Sequence, residues 1–171
     1  MKKTSGESPV ILLFAMNLLF PGSFDPPHRG HLDLIHRAAA LCELLVVGVA
    51  VNPDKQHCLS PERRVELLTG ECAGLTNVRV VTYRGATITF AKERGLDAIV
   101  RGLRNANDLE LEQAMAQVNR ANGVDTLLLT CDSAHLHLSS KLVRLVAQAG
   151  LPLDTLVTPR VAAALAQIKA G

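Results

Sequence analysis

Short apolar runs recur along this chain, most of them separated by longer segments whose apolar residues fall at helical spacing, and that alternation restricts the fold more than any other feature. The runs are Leu18 to Phe20, Leu44 to Val51, Val78 to Thr82, Ala98 to Arg101 and Thr126 to Thr130. Between them, "HLDLIHRAAALC" and "NDLELEQAMAQVNRAN" carry amphipathic patterns, and "SPERRVELLTGEC" opens with Ser60 as N-cap and Pro61 at the first helical position. Two further helices are expected over Ser139 to Gln148 and Pro159 to Lys169. Strands alternating with helices make βαβ units with right-handed crossovers. The expected fold is therefore α/β, a single Rossmann-like, doubly wound domain with a five-stranded parallel sheet and flanking helices. No internal repeat, low-complexity linker or change of composition marks a second domain within the 171 residues.

Ligands of such sheets sit outside the carboxyl ends of the strands, near the point where strand order reverses. Four polar clusters follow strands and would share that rim: "FPGSFDPPHRGH" after the first, "NPDK" after the second, "RGLR" after the fourth and "CDSAHLHLSSK" after the fifth. In the first cluster Gly22 and Gly30 allow close backbone approach, and the chain beyond Gly30 enters a helix whose N-terminal N–H groups favour an anion. If the first turn begins near His28, the imidazoles of His28 and His31 point at the same phosphate oxygens, and Ser23 adds a hydroxyl donor. Two other readings fit the same stretch. One is a zinc site with His36 as a further ligand, although no cysteine or carboxylate sits at ligand spacing; the other is a tight turn with incidental histidines.

Lys55 offers a point charge to a phosphate on the rim, or is a solvated lysine. Arg101 and Arg104 flank a glycine at a strand end, where two forked cations suit phosphate or else pair with Asp108 or Glu110. Glu112, eight residues after Arg104, can turn toward a ribose or an amine. Ser139 and Ser140 stand where a helix begins, and ordinary N-capping accounts for them when taken alone. Four clusters on one rim favour a nucleotide-phosphate site. It is neither a P-loop, since no G-x-x-x-x-G-K-[ST] occurs, nor a dinucleotide site, since no G-x-G-x-x-G opens the first helix.

Composition excludes some partners. A net charge of +2 with 3% aromatic residues and no Trp argues against nucleic acid. Cys42, Cys58, Cys72 and Cys131 form no C-x-x-C pair and read as reduced thiols of a cytoplasmic protein. Lys2 and Lys3 before "VILLFAMNLLF" imitate a secretory signal, but no small-residue cleavage site follows and the run is too short to span a bilayer, so no membrane association is expected. Met16 offers a second start, which makes residues 1–15 an expected disordered extension.

Taken in order, these motifs resemble the nucleotidyltransferase superfamily marked by H-x-G-H, here His28-Arg29-Gly30-His31, and within it the phosphopantetheine adenylyltransferase family. The resemblance runs from about Asn17 to the end and joins "PGSFDP", "GH", "NPDK", "RGLR" with "DLELE", and "LSSKLV". "RGLR" followed by an acidic helix separates it from the nicotinate mononucleotide adenylyltransferases, which share the "SFDPPHxGH" style of opening.

The resemblance makes residues 16–171 a nucleotidyltransferase domain and implies an enzyme of coenzyme A biosynthesis. Such an enzyme transfers AMP from ATP to 4'-phosphopantetheine, giving dephospho-coenzyme A and pyrophosphate, with magnesium (Mg2+) assisting, no metal-binding side chain assigned, and usually a homohexameric assembly. By position, His31 is implied as the transition-state stabiliser and Ser23, where the family more often has threonine, as a contact of both ATP and the acceptor phosphate. Lys55, Thr87 (through its backbone) and Arg101 match the phosphopantetheine side. Phe24, His28, Gly102, Leu103, Arg104, Glu112 and the segment His135, Leu136, His137, Leu138, Ser139, Ser140, Lys141 match the ATP side. Lys141 stands where the family has a third hydroxyl, and Leu111 where it commonly has an aromatic residue. A nicotinate mononucleotide adenylyltransferase and a non-catalytic nucleotide-binding module are the rival readings, Lys141 being the one hint of the latter.

Overall fold

In the first strand, β1 (Asn17–Gly22), Leu18 and Phe20 face one side and Leu19 the other, and all three are buried, so helices must cover the sheet on both faces. The next strand, β2 (Leu44–Ala50), repeats the pattern with Leu45, Val47 and Val49 against Val46. With β3 (Val78–Tyr83), β4 (Ala98–Leu103) and β5 (Asp125–Thr130) they form a parallel sheet in the order β3-β2-β1-β4-β5. The computed structural model describes residues 16–53 and 56–169; the extension expected over residues 1–15 and the position of Lys55 lie outside the described residues.

One face carries α1 (Arg29–Ala39) and α2 (Pro61–Glu71), whose Leu34, Ile35 and Leu68 pack with Leu18, Phe20, Val47 and Val100. Ser60 caps α2 as its place before Pro61 predicts, its Oγ accepting from the Arg63 N–H at 3.2 Å. On the other face α3 (Thr87–Glu93) inserts Phe90 and Ala91 beside Leu19 and Ile99. The long α4 (Ala106–Ala121) is tied to β5 by Asn119, whose amide donates to Thr126 Oγ1 at 3.0 Å. A separate cluster joins α2 to α5 (Ser140–Gln148) and α6 (Pro159–Lys169) through Leu67, Val143, Val161 and Leu165. Among the described residues no helix is long and apolar enough to cross a membrane.

Two features depart from the sequence reading. The helix α3 was not expected: it has seven residues, opens on the β-branched Thr87-Ile88-Thr89, and its N-cap Ala86 makes no side-chain bond. Burial of Phe90 and Ala91 holds it instead, a contribution invisible to local propensity. The fourth strand continues past its expected end at Arg101 to take in Gly102 and Leu103, because the ladder with β5 runs on to Leu103 opposite Thr130.

Strand order reverses between β1 and β4. Those two strands pair only at Leu18 with Ala98 and Leu19 with Ile99, whereas β1 and β2 pair along all of β1. Beyond Leu19 the carboxyl ends of β1 and β4 part, and the crevice between them is where a doubly wound sheet binds its ligand.

Candidate active site

Residues 23–28 cross that crevice as a loop held from three sides. Gly22 leaves room for the Phe24 ring, which a Cβ would meet at 2.9 Å. Phe24 itself has φ 48°, a left-handed conformation that side chains rarely adopt, and is kept there by a buried ring that packs edge-on against Phe20 and His31. The buried Asp25 carboxylate accepts the N–H groups of Cys58 and Leu59, each at 2.8 Å. From α5, Arg144 donates to the Asp25 carbonyl oxygen and Ser140 Oγ to that of Pro26 at 2.9 Å. From α2 the fully buried Arg64 donates to the carbonyl oxygens of Ser23 at 2.7 Å and Ala50 at 3.3 Å.

His28 is the N-cap of α1, so the condition on which the two histidines converge is met. The cap is reciprocal. His28 Nδ1 accepts the His31 N–H at 3.3 Å, and His31 Nδ1 accepts the His28 N–H at 3.2 Å. A backbone N–H can only donate, so both Nδ1 atoms are unprotonated and each ring keeps its proton on Nε2. The rings stack with centroids 3.6 Å apart. Burial, reinforced by Arg104 and His135, lowers the His28 pKa to about 4; burial, with His28 and Arg104, holds His31 well below the ordinary histidine value. At neutral pH the pair is two uncharged donors in fixed orientation.

They line a cavity of about 270 Å3 together with Ser23, Phe24, Arg104, Leu138, Ser139 and Ser140 among others. Gly102 forms part of its floor, where a Cβ would overlap Leu34. Arg104 donates from Nε and Nη2 to Asp108 at 2.9 and 3.2 Å and from Nη1 to the Leu138 carbonyl, realising the ion pair with Asp108 while still facing the cavity. Asp108 is held below the ordinary carboxylate range by that bond. Arg101 makes a bidentate pair with Glu112, Nε to Oε2 at 2.8 Å and Nη2 to Oε1 at 2.5 Å, rather than with Asp108 or Glu110. The Ser139 hydroxyl caps α5, accepting from Leu142, and the Ser140 hydroxyl is engaged with Pro26.

A second cavity, of about 540 Å3, lies on the β2 and β3 side and is lined by Asn52, His57, Tyr83 and Thr87 among others. Tyr83 stacks on Phe90 and places its hydroxyl 2.8 Å from Thr87 Oγ1. The two cavities share Pro21, Gly22, Ser23 and Arg101 as a common wall.

A phosphopantetheine adenylyltransferase from Synechococcus sp. (strain JA-3-3Ab) is 44% identical over 149 residues, which cover 86% of this chain and 94% of the relative. One from Nocardioides sp. (strain ATCC BAA-499 / JS614) is 43% identical over 153 residues, covering 88% and 96%. The chain belongs to the phosphopantetheine adenylyltransferase family. The broader cytidylyltransferase-like family model matches residues 19–146. Among solved structures, one described as a nicotinate-nucleotide adenylyltransferase from Vibrio parahaemolyticus superposes with a TM-score of 0.61 at 17% identity, covering 89% of this chain and 99% of that one. A lipopolysaccharide core biosynthesis protein from Thermoplasma volcanium GSS1 gives 0.51 at 21%, covering 68% and 96%. Both likenesses show the fold alone.

Within this member of the adenylyltransferase family, the first cavity gathers Ser23, Phe24, His28, His31, Arg101, Gly102, Arg104, Glu112, His135, Leu138, Ser139 and Ser140 from the residues singled out by sequence, and the second takes in Thr87. Leu103, Leu136, His137 and Lys141 line neither cavity. The zinc reading finds no support in the donor set, since among the described residues no group of three or more His, Cys, Asp or Glu could hold a metal, and His36 is exposed on α1. Asp25, Arg64, Tyr83 and Arg144 escaped the sequence reading. Asp25 lies inside the opening motif, but its partners at Cys58 and Leu59 are over thirty positions away and carry no side-chain signal.

Proposed function

We propose that the chain transfers AMP from ATP to 4'-phosphopantetheine, forming dephospho-coenzyme A and pyrophosphate. The observation that carries this reading is the common wall of the two cavities at Gly22, Ser23 and Arg101. An in-line displacement needs the attacking and leaving oxygens on opposite sides of one phosphorus, and two sites meeting at one wall suit that requirement. ATP takes the histidine-lined cavity, with Phe24, Gly102, Arg104 and Glu112 around it, and the acceptor takes the other, with Thr87 and Arg101. Lys55 keeps the acceptor-side role that its place in the sequence implies.

An oxygen of the acceptor phosphate forms a bond to the α-phosphorus while the bond to the pyrophosphate oxygen breaks, and the electron pair leaves with pyrophosphate. No protein atom is covalently modified, and the attacking phosphate needs little general-base help. The Nε2–H groups of His28 and His31 stabilise the charge that develops on the transferring phosphoryl group, His31 foremost. Their neutrality fits this task, because an uncharged imidazole fixed by its own backbone donates without reorganising. Magnesium would be carried in on the ATP phosphates, where it would spread the triphosphate charge. Imidazole and guanidinium donors around the cavity fit an ion that rides on the nucleotide phosphates and its own waters.

Incubating the purified chain with ATP, magnesium and 4'-phosphopantetheine is expected to yield pyrophosphate and dephospho-coenzyme A, with nicotinate mononucleotide in a parallel reaction giving far less. Absence of pyrophosphate with both acceptors would remove the reading. The same reading makes the assembly a homohexamer in the cytoplasm. Exposed Leu111, Met115 and Val118, which line up along α4, support self-association, and four free thiols suit a reducing compartment. Light scattering on the eluted protein tests the assembly.

A further inference from the structure

Arg64 of α2 is the largest fully buried side chain among the described residues, and it lines neither the first nor the second cavity. A charge taken out of water is ordinarily paired with an opposite one. Among the described residues Arg64 forms no ion pair and its Nη2 has no hydrogen-bond partner, while Asp25 and Glu62 act on its charge without bonding to it. Its acceptors are three carbonyl oxygens: Nη1 donates to Ser23 at 2.7 Å and Ala50 at 3.3 Å, and Nε to Ser60 at 3.4 Å. An apolar side chain of similar volume often serves stability as well, so the buried charge points to another use. Those carbonyls belong to the loop after β1, the last residue of β2 and the N-cap of α2, so one guanidinium ties together the strand ends beside the common wall.

The shortest of the three bonds acts on the peptide group that joins Ser23 to Phe24. That peptide is trans, so its N–H points the opposite way from its carbonyl. With the carbonyl fixed on Arg64, the Phe24 N–H is turned away from that guanidinium. Phe24 lines the histidine cavity, and its N–H donates to no acceptor among the described residues. A cation on the carbonyl oxygen draws electron density through the amide and makes the N–H a stronger donor. Phe24 has φ 48°, so the peptide stands in an orientation that needs support from outside the loop.

We propose that Arg64 is a positioning residue for the transfer: it fixes and polarises the Ser23–Phe24 peptide so that the Phe24 N–H meets a phosphate oxygen of the nucleotide. This rests on the reading that the first cavity takes ATP.

The test compares the full chain with Arg64→Lys, which keeps the charge without the fork, and Arg64→Met, which keeps much of the volume without charge or donor. Calorimetric titration with α,β-methylene-ATP and magnesium counts the sites that still bind nucleotide, and kcat is divided by that count so that unfolded protein does not enter it. Per site, kcat is expected to fall about 10- to 100-fold in Arg64→Met and less in Arg64→Lys, with the KM for 4'-phosphopantetheine changed by less than about two-fold. An unchanged kcat per site in Arg64→Met overturns the proposal, since a residue that only holds the fold alters the count and not the rate. Amide hydrogen exchange at Phe24 gives a readout that needs no turnover. The ATP analogue should slow it in the unsubstituted chain and slow it less in Arg64→Met, and equal slowing in both also overturns the proposal. Where neither variant folds, the unsubstituted chain decides: the Arg64 Nη protons must exchange slowly with and without the analogue, and the analogue must protect Phe24. Loss of either result overturns the proposal. Failure to form dephospho-coenzyme A with the Phe24 protection intact would instead sink the reaction reading and leave the Arg64 contact standing.

Discussion

On the side of Ser23 proposed for the nucleotide, two histidines three positions apart orient each other through one turn of helix; on the side proposed for the acceptor, Arg101 is held by Glu112 of α4 and Thr87 by Tyr83 of β3. The first arrangement needs only the start of α1. The second needs strands and helices already assembled, and it is more exposed, Arg101 being half-buried where His28 is buried. On the proposed reading, donors that meet a transition state are built where little can shift them, while groups that select a substrate are spread over separate elements.

The largest effect should come from breaking the rigid side. His31→Ala is expected to lower kcat roughly 100- to 1,000-fold, about 2.7 to 4 kcal/mol of barrier, while the affinity for ATP measured by calorimetry changes little. Unchanged kcat would mean that the reciprocal pair is merely a cap.

Next in size is a pH effect on stability that belongs to the nucleotide side. His28 has a folded pKa of about 4 against 6.5 unfolded, so between those values the unfolded chain binds more protons and stability falls as pH falls. Between pH 7 and pH 5 His28 alone should cost the ligand-free protein about 2 kcal/mol, with His31 acting in the same direction. Urea unfolding at the two pH values measures the loss. His28→Asn, which keeps a good N-cap and cannot titrate, should reduce it to the part due to His31.

Smaller effects probe the assembled side. Arg101→Lys keeps the charge but loses the fork that matches Glu112, and the KM for 4'-phosphopantetheine should rise about ten-fold with kcat less affected. Tyr83→Phe keeps the stack on Phe90 and removes only the hydroxyl at Thr87, for an expected rise of about two- to five-fold in the same KM. A larger loss in Tyr83→Phe than in His31→Ala would reverse the contrast between the two sides.

Strand and helix positions were largely legible because apolar spacing records which faces are buried, as in β1, and because Ser60-Pro61 carries the chemistry of a helix start. Helix α3 was not, since Phe90 and Ala91 hold it by burial against residues distant in sequence. In the site, His28 and His31 stood out by type and spacing. Arg64 carries no such local signal, yet it is fully buried and braces the Ser23 carbonyl.

By itself, then, the sequence determined the parallel α/β class, the turn into α1 and the pairing of His28 with His31, all of which follow from contacts within a few residues. Only the tertiary structure decided that Arg101 would face Glu112 and share a wall with Ser23, and that Asp25 would anchor Cys58 and Leu59. The reason lies in the crossover from β3 through α3 to β4, which sets β4 beside β1: it brings Arg101 within 3.5 Å of the Pro21 carbonyl, a residue 80 positions earlier, and no local pattern encodes so distant a neighbour.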